Sequence, residues 1–389
     1  MPKLARRITH TSKKSYGMFA KALGYEGKGH DLIHLELGKP FHDTPPHIID
    51  ATVAAMRRGE VHYSDLAGII EFRTAIAEKL RSYNGIEADA GDILVTNGLT
   101  QASFAAFMAL IDDGDEVILL EPYYPQHLGK IEMAGGCPVM VTLRAEDDYR
   151  LDPDLIASAI TPRSKAIVLV NPCNPTGRVY SRQELEGIAE LARKHDLFVI
   201  ADEVYDHIVF DNETHISIAA LPGMRDRTVS MYAFTKAYAM DGWRLGYLTA
   251  GPALMPALAK IVATEVTHVN TFIQQGGRAA LTGPEAILRD LVADDRRKRD
   301  LVVARLNQMP GVSCRLPEGT IYAFPDISAT GLKSQETADR LLEETGVVVE
   351  SGAFYGAAGE GHLRVCFGSE STERLTEAMD RMQKFFNAL

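Results

Sequence analysis

Seven short apolar segments, separated by stretches of helical periodicity, constrain the fold more than any other feature of this sequence. Between residues 91 and 251 they are DILVTN, DEVILLEP, CPVMVTL, KAIVLVNP, LFVIADEVY, TVSMYAF and RLGYLTAG. Such segments are typical of strands buried on both faces of a parallel sheet. The intervening stretches 101–111 and 181–195 have the apolar spacing of amphipathic helices. The chain is therefore predicted to be an α/β protein, with a mainly parallel seven-stranded sheet between helices.

The length of 389 residues exceeds what one compact core normally holds, so two domains are expected. Residues 46–282, which contain the apolar segments, are assigned to a large domain. A charged stretch at 289–305 is predicted to be a long solvated helix that leads out of this domain. Residues 283–389 and 1–45 are expected to form a smaller α+β domain, with strands at IYAFPDI and VVVESG around a helix at 334–345. The basic opening segment is expected to be an exposed arm.

Charge and composition limit the classes of partner. The formal net charge of −11 disfavours a nucleic-acid partner, which normally requires a basic face. The four cysteines are scattered without CxxC spacing, so neither a metal site nor a disulfide framework is predicted, and a reducing cytoplasm is expected. No apolar run approaches the roughly 20 residues that cross a bilayer, so no membrane association is expected.

A lysine and an arginine lie between the last two strands of the sheet region. In AFTKAYAMDGWRLGY, Lys236 comes directly after one strand and Arg244 directly before the next. A lysine at a buried strand end is costly unless it is neutral or bonded, which suits an amine that condenses with an aldehyde. The guanidinium group of Arg244 matches a phosphate. Two surface cations beside a sheet would explain the pair equally well.

Two polar segments end neighbouring predicted strands. In NPCNPTG, two prolines and a glycine hold Asn174 in a stiff turn, and in ADEVY an apolar strand ends at Asp202, three residues before Tyr205. A carboxylate in this position needs a cationic or hydrogen-bonding partner to stay ionised, and a pyridinium nitrogen would serve. A structural turn remains the alternative interpretation for Asn174.

Two further segments offer groups for an anion and an aromatic ring. VTNGLTQ places Gly98, Leu99 and Thr100 in a strand-to-helix turn, where free backbone N–H groups attract phosphate. EPYYPQH supplies Tyr124, which could lie against a ring, and His127, which could support a carboxylate from behind. For isolated residues, a core aromatic and a structural histidine are the alternatives.

Taken together, these segments resemble the class I/II aminotransferases of the fold-type-I pyridoxal phosphate enzymes. The resemblance spans nearly the whole chain and includes LELGKPFHDTP, HYSDLAGIIEFRTAIA, VTNGLTQ, NPCNPTG, ADEVY, TKAYAMDGWRLGY and HLRVCFG. It implies the fold of that family, a pyridoxal phosphate cofactor, and transfer of an amino group from an L-amino acid to a 2-oxo acid.

The resemblance also implies roles for individual residues. Lys236 would form the Schiff base and move the proton, Asp202 would hold the pyridine nitrogen protonated with His127 behind it, and Tyr124 would complete the catalytic set by stacking on the ring. The remaining cofactor contacts would be made by Gly98, Leu99, Thr100, Asn174, Tyr205, Thr235 and Arg244. Arg364 would clamp the substrate α-carboxylate, with Gly38 and Asn174 against it. Tyr63 would reach the phosphate in a neighbouring subunit, which implies a homodimer.

Two departures from the family pattern concern the phosphate and the substrate side chain. Ala233 stands where many relatives have a serine, and Thr235 could replace part of that contact. Thr100 stands where some relatives that act on acidic substrates have a lysine, and Lys39 could supply a cation instead. The identity of the donor and acceptor therefore stays open.

Two other functions are compatible with the same residues. A C–S β-lyase uses the same fold and cofactor and differs in what surrounds the substrate side chain. A noncatalytic ligand sensor is disfavoured by the presence of Lys236 and by the acidic net charge.

Overall fold

The computed structural model describes residues 3–11, 17–26, 29 and 31–389 and forms an α/β fold. Its helices are α1 (Arg6–His10), α2 (Gly17–Glu26), α3 (Pro46–Arg57), α4 (Ile70–Ser82), α5 (Leu99–Leu110), α6 (Pro125–Ala134), α7 (Pro153–Ser158), α8 (Arg182–Lys194), α9 (Met255–Glu265), α10 (Thr271–Thr282), α11 (Glu285–Leu306), α12 (Ser334–Thr345) and α13 (Thr372–Asn387). Its strands are β1 (Ile33–His34), β2 (Ile93–Thr96), β3 (Glu116–Glu121), β4 (Cys137–Thr142), β5 (Ser164–Val170), β6 (Phe198–Asp202), β7 (Thr228–Ala233), β8 (Gly246–Ala250), β9 (Tyr322–Ala323), β10 (Val347–Val348), β11 (Glu350–Ser351) and β12 (Leu363–Cys366).

The seven predicted strands form one sheet in the order β2-β8-β7-β6-β5-β3-β4. Strand β8 is antiparallel to both of its neighbours, and the other pairings are parallel. The prediction of a mainly parallel seven-stranded sheet is therefore confirmed. The expectation that every strand is buried on both faces is wrong for β4, because it lies at the edge of the sheet and most of its residues are partly or fully exposed.

Helices cover both faces of the sheet because side chains alternate along each strand. Along β5, Ala166 and Val168 pack in one core with residues of α5, α6 and α9. Ile167 and Leu169 point the other way and pack in a second core with residues of α8. Helix α8 begins where predicted, since Ser181 and Glu184 form a reciprocal capping box.

Both ends of the chain contribute to a third core. Residues of α2 and β1 pack there with residues of α11, α12 and α13 and of the strands between them. Strand β1 pairs in parallel with β10, and β11, β12 and β9 form a small antiparallel sheet. The elements that pack in this third core are called the smaller unit below, and the division into domains at residues 46 and 282 stays a prediction. Of the predicted arm, residues 1–2 and 12–16 lie outside the described residues, and α1 contacts α6.

The charged stretch at 289–305 forms a helix, as expected, but that helix is not solvated throughout. Within α11, Lys298 and Arg299 are each only 2% exposed. Lys298 is paired with Asp294 at 2.8 Å, and Arg299 is paired with Asp211 at 2.8 Å. Both cations are buried because this face of α11 packs on the third core, where carboxylates neutralise them.

Within the described residues, no helix is long and apolar enough to cross a membrane. In the same residues, no group of three or more histidine, cysteine, aspartate or glutamate side chains is placed to hold a metal ion.

Candidate active site

A cavity of about 330 Å³ lies where the carboxyl ends of β5, β6 and β7 meet the smaller unit. This is the edge at which ligands gather in open α/β sheets, and the volume lies within the range of small-molecule sites. Eleven of the residues predicted from the sequence line it: Gly38, Leu99, Thr100, Tyr124, Asn174, Asp202, Tyr205, Thr235, Lys236, Arg244 and Arg364. The chain thus gathers most of its predicted site residues at one place.

Asp202 ends β6 at the wall of the cavity and is supported from behind by a histidine. His127 Nε2 lies 3.0 Å from Asp202 Oδ2, and the backbone N–H of Val204 donates to Oδ1 at 3.3 Å. Burial lowers the pKa of His127 below its usual value, although the bond to Asp202 acts in the opposite direction. A neutral imidazole that donates from Nε2 leaves the Asp202 carboxyl group with acceptor capacity toward the cavity.

Lys236 follows β7 after a short turn, and its side chain reaches across to the smaller unit. Its Nζ donates a hydrogen bond to the backbone carbonyl of Gly38. Gly38 is held closely, because a Cβ added there would lie 1.8 Å from the hydroxyl oxygen of Tyr322. Thr235, directly before the lysine, also lines the cavity. The amine is therefore positioned by groups from both units.

Arg244 lies beside the N-terminus of α5, where the first N–H groups of a helix have no partner within the helix. Gly98 precedes this helix at φ 79°, and a Cβ added to it would lie 2.6 Å from an Arg244 guanidinium nitrogen. Gly98 itself does not line the cavity, but its lack of a side chain makes room for Arg244. Leu99 and Thr100 begin the helix at the same point. The arrangement suits an anion.

Arg364 is buried between two tyrosine rings, 4.2 Å from the ring centre of Tyr322 and 5.1 Å from that of Tyr355. It donates to Asn174 Oδ1 at 3.3 Å and to the backbone carbonyl of Glu36. Its Nε is buried without a hydrogen-bond partner in the described part of the chain. A buried guanidinium with an unused donor is suited to bind a carboxylate.

Two predicted aromatic residues occupy the remaining wall. Tyr124 lies at the start of α6, with its ring centre 5.3 Å from that of His127 in an edge-on arrangement. The hydroxyl groups of Tyr205 and Tyr322 are hydrogen bonded at 2.8 Å. Burial raises the pKa of both Tyr124 and Tyr205 above the ordinary value, so both hydroxyls stay protonated at neutral pH.

Tyr63 does not line this cavity. Its side chain is 82% exposed and contacts the ring of His268. Lys39 also lies outside the cavity wall formed by the described residues, whereas Thr100 is part of it. Within this chain, the structure therefore does not bring the proposed substitute cation to the cavity.

Several lining residues were not found from the sequence. Tyr322, Tyr355 and Glu350 come from the C-terminal part of the chain, and Phe19 comes from α2. Tyr322 lies in a short strand, where an aromatic residue more often belongs to the core. IYAFPDI contains Tyr322 and VVVESG contains Glu350, but the family resemblance assigned no residue to either segment.

The groups in the cavity match the chemistry of pyridoxal phosphate. They include a primary amine for its aldehyde, a supported carboxylate for its ring nitrogen, and a guanidinium at a helix N-terminus for its phosphate. The space that Gly98 leaves beside Arg244 is consistent with a phosphate at this position. The residues present thus fit this cofactor.

Comparisons with known proteins agree with this geometry. The family profile described as "Aminotransferase class I and II" matches residues 30–382. An aspartate aminotransferase of Pyrococcus abyssi is 40% identical and covers 91% of each chain. An aromatic-amino-acid aminotransferase of Thermococcus litoralis is 38% identical and covers 94% of each chain. The structure of a Thermus thermophilus aspartate aminotransferase mutant has a TM-score of 0.93 at 36% identity, covering 99% of this chain and all of that one.

These named proteins are all aminotransferases, so the comparisons favour transamination over the C–S β-lyase alternative. The predicted family and its fold are confirmed over nearly the whole chain. The chain belongs to the class I and II aminotransferases, the fold-type-I family of pyridoxal phosphate enzymes that transfer an amino group from an amino acid to a 2-oxo acid.

Proposed function

We propose that this chain binds pyridoxal phosphate in the cavity between the sheet and the smaller unit, and that Lys236 is its catalytic lysine. The observation that supports this most is the convergence of Lys236, Asp202 and Arg244 on one cavity. When bound, pyridoxal phosphate supplies an aldehyde that carries the amino group and a ring that stabilises negative charge at the substrate Cα.

Lys236 has two tasks under this proposal. Its Nζ would hold the cofactor by its aldehyde carbon, and as a free amine it would move the proton away from the substrate Cα. The second task needs a neutral amine close to the reacting atoms. The hydrogen bond from Nζ to the Gly38 carbonyl supports this role, because it holds the side chain near the segment that faces Arg364.

Asp202 would hold the pyridine nitrogen of the cofactor and keep it protonated. Its carboxylate ends a buried strand and is supported by His127 at 3.0 Å. Since the neutral histidine donates rather than accepts, the negative charge of Asp202 remains available to the ring. Asn174 and Tyr205 would hold the ring hydroxyl, and Tyr124 would stack on the ring face.

The phosphate would be held by Arg244, Thr235 and the backbone N–H groups at Leu99 and Thr100. Arg364 would orient the substrate by its α-carboxylate, using the unused Nε and a terminal nitrogen. A two-point contact of this kind fixes which bond at Cα stands perpendicular to the ring, and therefore which bond breaks. Proton loss and transamination are the expected outcome.

Reduction with borohydride tests the assignment of the lysine. The protein loaded with pyridoxal phosphate should lose its visible absorbance on reduction, and peptide mapping should place the cofactor on Lys236 alone. Lys236→Ala should abolish the covalent label, whereas Lys260→Ala, a matched change at an exposed position of α9, should keep it. A label on any other lysine would contradict the proposal.

A homodimer with shared sites is also part of the proposal. Tyr63 is exposed and does not line the cavity of its own chain, so the proposal assigns it to the phosphate of a second copy. Ile49, Met56, Val61 and Ile70 are exposed in the same stretch of the chain, and exposed apolar patches are typical of interfaces.

Hybrid dimers test this sharing. A dimer of one Tyr63→Phe subunit and one Lys236→Ala subunit should contain one complete site, with the lysine of the first subunit and the tyrosine of the second. Its affinity for the cofactor at that site should match the wild-type value, whereas the Tyr63→Phe homodimer should bind more weakly. Equal weakness of the hybrid and that homodimer would show that Tyr63 does not act across the interface.

A further inference from the structure

Glu350 is an acidic residue of the cavity for which the proposed function has no use. It lies in β11 directly opposite Arg364 of β12, because the two residues are partners in the antiparallel pair. Opposed residues of such a pair project from the same face, with Cβ atoms about 4.5–5.5 Å apart. A substrate whose carboxylate is held by Arg364 would therefore lie beside Glu350.

The carboxylate of Glu350 has acceptor capacity to spare. Oε2 accepts from the backbone N–H of Met18 at 3.0 Å, and Oε1 accepts from the backbone N–H of Ser351 at 3.0 Å. Two carboxylate oxygens can accept about four hydrogen bonds. In the described residues no lysine, arginine or histidine side chain forms an ion pair with Glu350, which is only 4% exposed. Burial raises its pKa to about 7, against the attraction of Arg364.

Among the described residues of the cavity wall, the proposed roles use every cationic residue but not every acidic one. Its described wall contains three cationic residues, Lys236, Arg244 and Arg364, and each has a partner in the cofactor or the α-carboxylate. Of the carboxylates, Asp202 is assigned to the ring nitrogen and Glu36 contacts His34 Nδ1 at 2.8 Å, so Glu350 remains. Within this chain, a second carboxylate on a substrate would meet this unassigned carboxylate and no unassigned cation among the described residues of the wall.

Apolar residues line the same cavity. Phe19, Leu37 and Phe354 belong to its wall together with Glu350. Long basic side chains pack their alkyl stems against such surfaces while their charged ends reach a polar partner. A substrate that resembles lysine or arginine could therefore pack its alkyl stem against these apolar residues and place its charged end at Glu350.

We propose that Glu350 is a specificity-determining residue that selects amino donors with an ammonium or guanidinium group on an alkyl stem and discriminates against acidic donors. The inference rests on the proposed function only in placing the donor α-carboxylate at Arg364. It concerns substrate choice and assigns Glu350 no part in the chemical step.

A purely structural role predicts something different. Through the Met18 N–H, Glu350 also caps the N-terminus of α2, the helix that carries Phe19. Loss of a cap would loosen α2 and weaken the binding of every substrate alike. Loss of a selector would weaken the binding of cationic substrates only. Glu350→Gln separates the two roles. Its amide oxygen can still accept from the Met18 N–H that begins α2, while the negative charge and the contact with the Ser351 N–H are lost.

Binding of two unreactive probes tests the selector by calorimetry on the protein loaded with pyridoxal phosphate. The probes are 5-guanidinopentanoate and 5-ureidopentanoate, which share shape and carboxylate but differ in the charge of the distal group. The wild-type protein should bind the guanidino compound about tenfold more tightly or better, as expected for a charged hydrogen bond. Glu350→Gln should remove most of this ratio. Glu344→Gln, the same change at an exposed residue of α12, should preserve it.

The outcomes distinguish this inference from the proposed function. A wild-type ratio near one, or a ratio that Glu350→Gln leaves unchanged, overturns the selector. A second experiment measures steady-state rates with arginine, lysine, phenylalanine and aspartate as donors. Glu350→Gln should lower the rates with arginine and lysine only. If the probes are discriminated but no donor reacts, the proposed function fails and the selector stands. If donors react without a preference that depends on Glu350, the selector fails and the proposed function stands.

Discussion

Replacement of Arg364 by lysine tests how the substrate is oriented. The guanidinium group is 6% exposed and lies 4.2 Å from the ring centre of Tyr322. Two of its nitrogens are occupied by Asn174 Oδ1 and the carbonyl of Glu36, and Nε is unused. Lysine keeps the charge but offers one nitrogen in place of three. It can therefore not hold its protein partners and form a planar two-point contact with a carboxylate at the same time.

The expected loss follows from the number of contacts. Removal of one charged hydrogen bond costs about 1.5–3 kcal/mol, and about 1.4 kcal/mol corresponds to a factor of ten. Arg364→Lys should therefore lower kcat/KM by about tenfold to a hundredfold. The loss should be similar for all amino-acid donors, because the α-carboxylate is common to them. Simple amines, which lack the carboxylate, should lose much less.

The assay compares kcat/KM for alanine, phenylalanine, aspartate and a simple amine in the wild type and the variant. Arg182→Lys is the matched control, since it makes the same change at an exposed position of α8 and should leave all four values unchanged. Selective loss of one donor, with normal rates for the others, would refute the reasoning. Arg364 would then read the side chain, and the placement of the substrate would have to be reversed.

Three further changes have definite expected results. Asp202→Asn should retain the cofactor but slow proton removal from the substrate by several kcal/mol in activation free energy, because an unprotonated ring is a poor electron sink; near-normal single-turnover rates would contradict this. Gly98→Ala should weaken cofactor binding, measured by titration, because the added Cβ would lie 2.6 Å from an Arg244 nitrogen. Gly91→Ala is the control and should not weaken binding, because a Cβ there has no neighbour within 4 Å. Equal affinities of the two variants would show that the contact at Gly98 does not constrain the site. Burial raises the pKa of Glu203 from 4.5 to about 8, so its protonated form is favoured in the folded state. The free energy of unfolding should therefore fall by up to about 5 kcal/mol as pH rises from 4.5 to 8. Glu203→Gln should lack that part of the decrease in Tm, and parallel Tm profiles for the two proteins would show that Glu203 is not the group responsible.

The fold was predictable in its element types and less so in its pairings. All seven apolar segments became strands, since short apolar segments between helices are typical of the strands of a parallel sheet. The direction of a strand could not be read from its residues. Strand β8 is as apolar and buried as its neighbours β2 and β7, yet it runs antiparallel to both. The exposed edge position of β4 was not readable either, because strand order depends on which helices cross over the sheet.

The sequence by itself determined the residues that follow strands of the sheet. Lys236, Asp202 and Asn174 lie at or just after the carboxyl ends of β7, β6 and β5, so local patterns place them at one edge. Such residues occupy loops whose positions the sheet fixes, and their types are informative because polar groups at buried strand ends need partners.

Only the tertiary structure decided what completes the cavity. Arg364 and Glu350 face each other because β11 and β12 pair, and Tyr322 joins them through β9. Their approach to Lys236, more than 80 positions away in sequence, depends on the packing of both chain ends into the third core. No local pattern encodes a contact of this kind, because its stability comes from apolar area buried between distant segments rather than from the residues in contact. The exposure of Tyr63 was decided in the same way, since only the folded chain shows that this residue does not line its own cavity.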